Sequence, residues 1–235
     1  MNRRLRYQVA VSLDGFIAGP NGEYDWIVMD PSIDFGALFK EFDTAVMGRK
    51  TYEALAAQGG NGAMPGLDVV VFSRTLATAS HGGGVRIVND DAPAVVAALK
   101  AKPGRDIWLF GGGALFRSLL DAGLVDTVEV AVVPVLLGAG IPLLPPGGST
   151  KLVLADQKTL PASGIVALSY SVPGGRGPAA RIRYIKAGKS GRKAGVRTGG
   201  KPTASTPAKR RARKKGALPR SSARGANGTV KTRRS

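Results

Sequence analysis

Cysteine is absent from this sequence, so the chain has no disulfide, no thiolate nucleophile and no cysteine-ligated metal site. Histidine occurs once, at His81, and a single histidine without companion ligands does not predict a metal site. The sequence also lacks any run of about 18 uncharged apolar residues, and its N-terminal segment is too short and too polar for a signal-peptide core. We therefore expect a cytoplasmic protein with no bound metal and no membrane span.

Acidic residues are missing from the C-terminal part of the chain. All 16 lie between Asp14 and Asp156, whereas residues 187–235 contain 16 of the 34 Lys and Arg residues. Residues 1–186 hold the other 18 basic residues and all 16 acidic ones, a net charge of +2 out of +18. The C-terminal segment has almost no large apolar side chains, so it cannot bury enough surface to offset its chain entropy. The sequence predicts a folded domain over residues 1–187 and a disordered Lys/Arg-rich tail over residues 188–235.

Strands alternate with helices along the first part of the chain. Apolar runs predict strands at Tyr7–Leu13, Thr44–Met47, Leu67–Phe72, Val85–Val88, Ile107–Phe110 and Val125–Val133. Helices are predicted at Ser32–Phe42 (after Asp30 as N-cap and Pro31), from Gly48, at Ala92–Lys100 and at Ala114–Asp121. Closing strands are predicted at Val153–Ala155, Val166–Val172 and Arg181–Ile185, the last two as a hairpin across Pro173–Pro178. This order predicts an α/β fold with a mixed, mainly parallel sheet, flanking helices and an antiparallel C-terminal edge.

A glycine-rich turn joins one predicted strand to a helix in the segment Phe110-Gly111-Gly112-Gly113-Ala114-Leu115-Phe116. Glycine allows a ligand to approach the backbone closely, and the N-terminus of a helix offers free N–H groups to a phosphate. The segment is not a dinucleotide-binding G-x-G-x-x-G fingerprint, because the third glycine would fall at Phe116. It is either a phosphate site or a tight strand-to-helix turn.

Two further segments place cations after predicted strands. Gly48-Arg49-Lys50-Thr51 follows one strand and opens a helix, and Ser73-Arg74 follows the next strand. Cations beside a helix N-terminus, and a hydroxyl with a guanidinium at a strand end, suit a pyrophosphate or a ribose 2′-phosphate. Taken alone, the first segment is more often a solvated basic turn and the second more often the start of a polar loop.

The three segments together resemble the cofactor-binding set of dihydrofolate reductases. The first strand and turn, Val9–Ala18 with Ser12-Leu13-Asp14-Gly15 inside it, and the segment Pro134–Gly140 look like a narrower group. That group is the C-terminal reductase domain of the riboflavin-pathway bifunctional deaminase-reductase, with its stand-alone relatives. The resemblance covers about residues 5–186 and implies a dihydrofolate-reductase-like fold that uses NADPH.

The resemblance also implies roles for single residues. The nicotinamide pocket would be lined by Ala10 and Ile17. Phosphate would be held by Gly48, Arg49, Lys50 and Thr51. The 2′-phosphate would be faced by Arg49 or Lys50 and by Ser73 and Arg74. The pyrophosphate would be wrapped by Gly112, Gly113, Ala114 and Leu115.

The substrate side departs from both relatives. Dihydrofolate reductases place an acid on the first helix to bind and help protonate the pterin, and the nearest acids here are Asp30 and Asp34. Neither falls in clean register after Trp26, and Asp30 is alternatively a helix cap. The riboflavin-pathway reductase carries a glutamate just before the glycine turn, where this chain has Gly111. The catalytic acid is therefore either Asp34, Asp30 or a bound water.

Three more residues have two interpretations each. Asp14 is either a substrate-binding acid or the first residue of an Asp-Gly turn. Trp26 either covers a planar substrate or belongs to the core. Glu129 lies in a predicted strand and faces either solvent or a subunit partner.

These features predict an NADPH-dependent reductase that transfers a hydride to a small heterocycle. The substrate is of riboflavin-pathway type, as for a 5-amino-6-(5-phosphoribosylamino)uracil reductase, or of pterin type, and the protein holds the reacting atoms about 3–3.5 Å apart. Relatives of this fold often pair, so we expect a homodimer with the late strand region as its interface. One alternative is a polyanion- or nucleic-acid-binding protein that acts nonspecifically through the tail. The other is a cofactor-binding domain without catalysis.

Overall fold

A computed structural model describes residues 3–58, 60–81 and 84–175. Its strands are β1 (Leu5–Ser12), β2 (Phe16–Ala18), β3 (Phe42–Gly48), β4 (Asp68–Phe72), β5 (Ala79–His81), β6 (Val85–Val88), β7 (Asp106–Gly111), β8 (Thr127–Val133), β9 (Ile141–Pro142), β10 (Val153–Leu160) and β11 (Ile165–Ser171). Its helices are α1 (Phe35–Phe39), α2 (Arg49–Ala56), α3 (Ala92–Ala101) and α4 (Gly113–Asp121). The predicted strand Arg181–Ile185 and the predicted tail over residues 188–235 lie outside the described residues.

Nine of the described strands form one sheet in the order β10-β11-β8-β1-β7-β3-β4-β6-β5, and β2 pairs with β9 separately. β1 is an interior strand and runs parallel to both of its neighbours, β7 and β8. The pairs β3–β7, β3–β4 and β4–β6 are also parallel. β5 is antiparallel to β6, and β8, β11 and β10 are joined by antiparallel pairs. The predicted mixed, mainly parallel sheet with an antiparallel C-terminal edge is confirmed.

Side chains alternate between two faces of the sheet along β1. Leu5, Tyr7 and Val11 belong to the larger core, to which α3 and α4 contribute their buried apolar residues. Arg6, Gln8, Ala10 and Ser12 therefore lie on the opposite face, which we call the α1 face. A second core beneath α1 and α2 covers this face over β3, β4, β6 and β7. No described helix is long and apolar enough to cross a membrane.

The first predicted helix has the wrong bounds. The helix covers only Phe35–Phe39, and Phe42 begins β3. Its N-cap is Asp34, whose carboxylate accepts a hydrogen bond from Ala37 N at 2.9 Å. Asp30 does not cap this helix, because its carboxylate is held by other groups described below.

The predicted hairpin between Val166–Val172 and Arg181–Ile185 falls partly outside the described residues, and the described partners of β11 are two other strands. β11 pairs with β8 along one edge and with β10 along the other, so both of its edges are occupied. β10 runs from Val153 to Leu160 and is longer than predicted. The hairpin at this end of the sheet is therefore formed by β10 and β11.

Candidate cofactor and substrate site

Three segments with predicted cofactor contacts meet at one edge of the sheet. β7, β3 and β4 are parallel neighbours, so their carboxyl ends lie side by side. The glycine turn at 111–113 follows β7, residues 48–51 join β3 to α2, and Ser73-Arg74 follows β4. Neighbouring strands lie about 4.8 Å apart, so the three segments span only about 10 Å of this edge. The structure therefore brings them together.

α2 and α4 both begin at this edge with backbone N–H groups that no side chain caps. Gly48 is the N-cap of α2, Gly112 is the N-cap of α4, and neither helix has an acid in its first turn. Free N–H groups and the positive end of the helix dipole attract anions. The chemistry of this edge suits the phosphates of a dinucleotide.

Thr51 connects the two helix starts. A Cβ on Gly111 or Gly112, whose shared peptide bond is cis, would lie 3.3 or 3.4 Å from Thr51 Oγ1. The glycine turn therefore packs against the first turn of α2. At Gly48, in contrast, an added Cβ would meet no protein atom within 4 Å, and the φ of −84° suits any residue. This space beside Gly48 is open to a ligand, and the residues around it fit a phosphate-bearing cofactor.

Gly113 is required by the protein's own packing. An added Cβ would lie 2.8 Å from the carbonyl oxygen of Pro142 and 3.2 Å from that of Leu143. We call residues 141–148, which pass over the start of α4, the strap. Arg117 holds the other end of the strap, because its Nη2 donates a hydrogen bond to Gly148 O at 2.6 Å. Gly113 is therefore explained by the strap whether or not a pyrophosphate binds.

The polar residues with predicted phosphate contacts differ in what they already bind. Arg49 forms an ion pair with Glu53 at 2.8 Å and stays partly exposed, whereas Lys50 and Arg74 are exposed. Ser73 is buried, and its Oγ accepts hydrogen bonds from two backbone N–H groups of the turn that follows it. The cations are available to a ligand at the surface, while the Ser73 hydroxyl already stabilises a turn.

The residues with predicted nicotinamide contacts fall into two apolar clusters. Ile17 on β2 packs against the core of α3 and α4, whereas Ala10 on β1 packs against a smaller cluster on the α1 face. Ala10 is only half-buried although β1 is an interior strand, so neither helix nor loop covers this part of the sheet completely. Ala10 is therefore partly accessible from the α1 face. Of the two helix residues, Ala114 is exposed and Leu115 is buried in the core.

Trp26 lies in the same apolar cluster as Ala10. It packs against Val133, Leu160 and Ile165, the cluster that Ala10 also contacts. Its indole Nε1 donates to Glu23 O at 3.1 Å, which leaves the apolar body of the ring for packing. The structure thus brings Trp26 and Ala10 to one cluster, as a cover for a planar substrate would require.

Asp14 ties two loops together. Its carboxylate accepts hydrogen bonds from Ser12 Oγ at 2.6 Å, from Leu137 N at 3.1 Å and from Gly138 N at 2.7 Å. The bond from Ser12 and those from the backbone lower the pKa of Asp14. Its hydrogen bonds hold the turn after β1 against the segment after β8, and its part in substrate binding stays a prediction.

The two acids predicted to be catalytic have structural partners. Asp34 caps α1. Asp30 is 2% exposed and accepts hydrogen bonds from the hydroxyls of Ser163 at 2.6 Å and Ser32 at 2.5 Å. These bonds lower the pKa of Asp30 to about 2, so it is ionised at neutral pH, whereas a proton donor must start protonated. Their catalytic roles stay predictions.

The sequence interpretation missed a buried polar group on the α1 face. Glu129 is 1% exposed and faces neither solvent nor a partner: it pairs with Arg6 through two hydrogen bonds of 2.8 Å. It also accepts from Thr127 Oγ1 at 2.8 Å and from Gln8 Nε2 at 3.2 Å. The sequence held one signal, since Arg6 and Gln8 alternate with Leu5, Tyr7 and Val9 in an interior strand. Such a pattern predicts a polar face that another polar element must satisfy.

Comparison with known proteins places this geometry in a family. The uncharacterized protein YyaP of Bacillus subtilis (strain 168) is 34% identical over 180 residues, which cover 72% of this chain and 94% of YyaP. A solved structure from Shewanella sp. PV-4, named for riboflavin biosynthesis, is 26% identical with a TM-score of 0.63, covering 73% of this chain and 99% of the other.

A dihydrofolate reductase structure from Enterococcus faecalis, complexed with NADP(H), shares the fold. Its TM-score is 0.53 at 16% identity, and the match covers 73% of this chain and 99% of the reductase. The family model described as the RibD C-terminal domain matches residues 3–166. That range contains every segment at the carboxyl edge of the sheet. The chain belongs to the RibD C-terminal domain family and has the dihydrofolate-reductase-like fold that its sequence predicts.

Proposed function

We propose that this protein is an NADPH-dependent reductase that acts on a small planar heterocycle of the riboflavin-pathway or pterin type. The main support for this proposal is that two uncapped helix starts, at Gly48 and Gly112, lie at the same edge of the sheet as the half-buried Ala10 of β1. Phosphates suit the helix starts, and a flat ring suits the partly accessible Ala10 with Trp26 beside it. The family and the likeness to a reductase that binds NADP(H) support the same assignment.

NADPH, when bound, supplies a hydride to an electron-poor carbon of a C=N or C=O group, and a proton reaches the adjoining heteroatom. The chain itself contributes binding and orientation. The N–H groups of α2 and α4 would hold the diphosphate, and Arg49, Lys50 and Arg74 would neutralise the 2′-phosphate. The α1 face over β1 would hold the two rings in contact and away from bulk water.

The assignment is tested by titrating the full-length protein with NADPH and with NADH while following nicotinamide fluorescence. NADPH is expected to bind more tightly than NADH, and Arg49→Ala and Arg74→Ala to weaken NADPH by about fivefold or more each, since each removes a charge-assisted hydrogen bond. Arg86→Ala, which alters an exposed arginine within β6, serves as the matched control. Equal affinities for the two cofactors in every variant would contradict the 2′-phosphate site.

A second candidate function rests on the tail. Its 16 cationic residues and lack of acids suit a nonspecific polyanion contact with strong salt dependence. Removal of residues 188–235 is expected to abolish retention on nucleic acid and leave NADPH titration unchanged. Loss of NADPH binding on the same removal would contradict two separable activities.

A further inference from the structure

Two polar atoms on the α1 face are shielded from water and have no hydrogen-bond partner among the described residues. They are Gln8 Oε1 and Ser169 Oγ. Both lie in one row across the sheet, because Gln8 of β1 and Ser169 of β11 are each paired in register with Glu129 of β8 between them. A buried polar atom without a partner is costly, and two in one row indicate that a polar ligand or water belongs there.

The orientation of the Gln8 amide is determined by its neighbour. Glu129 faces the Arg6 guanidinium with both carboxylate oxygens, so it can only accept hydrogen bonds from other groups. The group that approaches Glu129 Oε2 at 3.2 Å must therefore be the NH₂ of Gln8. The amide oxygen is consequently turned away from Glu129 and is the free acceptor.

The next row on the same face is made of small side chains. Ala10, Ala131 and Ala167 are paired in register across the same three strands, and the first two are half-buried. Three methyl groups make a flat floor, and Gln8 lies two residues before Ala10, at about 7 Å along β1. A single heterocycle seated on Ala10 and Ala131 would bring its edge to the row of Gln8.

We infer that Gln8, oriented by Glu129, is the residue that selects the substrate of the proposed reductase, by accepting a hydrogen bond from a ring N–H. The inference rests on the proposed function. Arg6 is paired with Glu129, Glu41 and Asp106, so no unpaired cation is left here to attract an anion. The position therefore favours a neutral ring with an N–H at its edge, such as a cyclic ureide, over an N-alkylated or anionic one.

A pair of ligands tests this on the unmodified full-length protein saturated with NADPH. The probes are 5,6-diaminouracil and 5,6-diamino-1,3-dimethyluracil, which differ in their two ring N–H groups, and calorimetry measures the affinity of each. The first is expected to bind about tenfold or more tightly than the second, because the methylated ring leaves the buried acceptor unsatisfied. Equal affinities, or no binding of either ring, would overturn the inference.

Substitution of Gln8 separates its role from a merely steric effect of the methyl groups. In Gln8→Met the preference for the N–H ring is expected to fall to about twofold or less, while Gln58→Met, at an exposed amide after α2, keeps the full preference. An unchanged preference in a folded Gln8→Met variant would contradict the assignment. The NADPH titration of the same samples distinguishes the two failures: if NADPH binds and neither ring does, only the inference fails.

Discussion

Thr51 Oγ1 lies so close to the glycine turn that a methyl group on Gly112 would come within 3.4 Å of it. The start of α2 and the start of α4 therefore form one surface, although Thr51 and Gly112 are far apart in the sequence. A phosphate held by one helix start is within reach of the other.

Substitution of Gly113 is expected to destabilise the fold. Gly113→Ala places a methyl group against the carbonyl oxygens of Pro142 and Leu143, so the strap must move. We expect the free energy of unfolding to fall by about 1–3 kcal/mol, as measured by urea denaturation. A variant as stable as the wild type would show that the strap does not pack on α4 in this way.

Arg117 is expected to hold the strap in place. Its guanidinium donates to Gly148 O at 2.6 Å and pairs with Asp121 at 3.2 Å. Arg117→Ala removes both contacts, and we expect faster amide hydrogen exchange in residues 141–148 with little change in β3 and β4. Lys at this position retains the charge but not the paired geometry, so Arg117→Lys should give the same pattern. If residues 141–148 exchanged at the wild-type rate in both variants, the role of Arg117 would be contradicted.

The Arg6–Glu129 pair is expected to matter most when only one partner is removed. Both side chains are 1% exposed, and although burial opposes the charged form, the hydrogen bonds and charge of Glu129 raise the pKa of Arg6. Glu129→Leu leaves Nε and Nη2 of the buried guanidinium without an acceptor, while Nη1 keeps its ion pairs with Glu41 and Asp106. The variant should therefore cost about 3 kcal/mol of unfolding free energy, the lower end for a broken buried pair. The double variant Arg6→Met/Glu129→Leu should recover most of that loss in urea denaturation. A double variant no more stable than Glu129→Leu would contradict this account.

Asp30 should make the folded protein less stable as the pH falls into the acid range. Its pKa is about 2 in the folded protein and 3.8 ordinarily, so the unfolded chain takes up the proton first as the pH falls. The contribution of ionised Asp30 to the free energy of unfolding is complete above about pH 5 and is lost between about pH 4 and pH 2. The Tm difference between the wild type and Asp30→Asn should therefore shrink over that window. A difference that stays constant from pH 6 to pH 2 would contradict the hydrogen bonding of Asp30.

The sheet could be predicted from the sequence because its strands are apolar and separated by clear helix starts. The bounds of α1 could not be predicted, since the apolar spacing over residues 32–42 continues from the helix into β3. Asp30 and Asp34 are also both possible N-caps, and the sequence does not decide between them. The pairing of β11 with β8 joins segments that are far apart in the sequence. That is a long-range choice, and local sequence carries no signal for it.

The site divides in the same way. The segments at Gly48, Ser73 and Gly112 could be located because each follows a strand, and the carboxyl ends of parallel strands share an edge. The row of Gln8, Glu129 and Ser169 could not, because it exists only through the register of β1, β8 and β11. Glu129 in particular is a charged residue that is buried in an interior strand, where Arg6 pairs with it.

An NADPH titration of Gly48→Ala, with Gly60→Ala as the matched control, decides whether the cofactor binds at this edge of the sheet. A Cβ at Gly48 meets no protein atom within 4 Å and requires no unusual backbone conformation, so the variant should fold with wild-type stability. If a cofactor phosphate packs against this backbone, NADPH affinity should fall about tenfold or more, and Gly60→Ala should bind as the wild type does. Unchanged NADPH affinity in a folded Gly48→Ala protein would contradict a cofactor site at this edge.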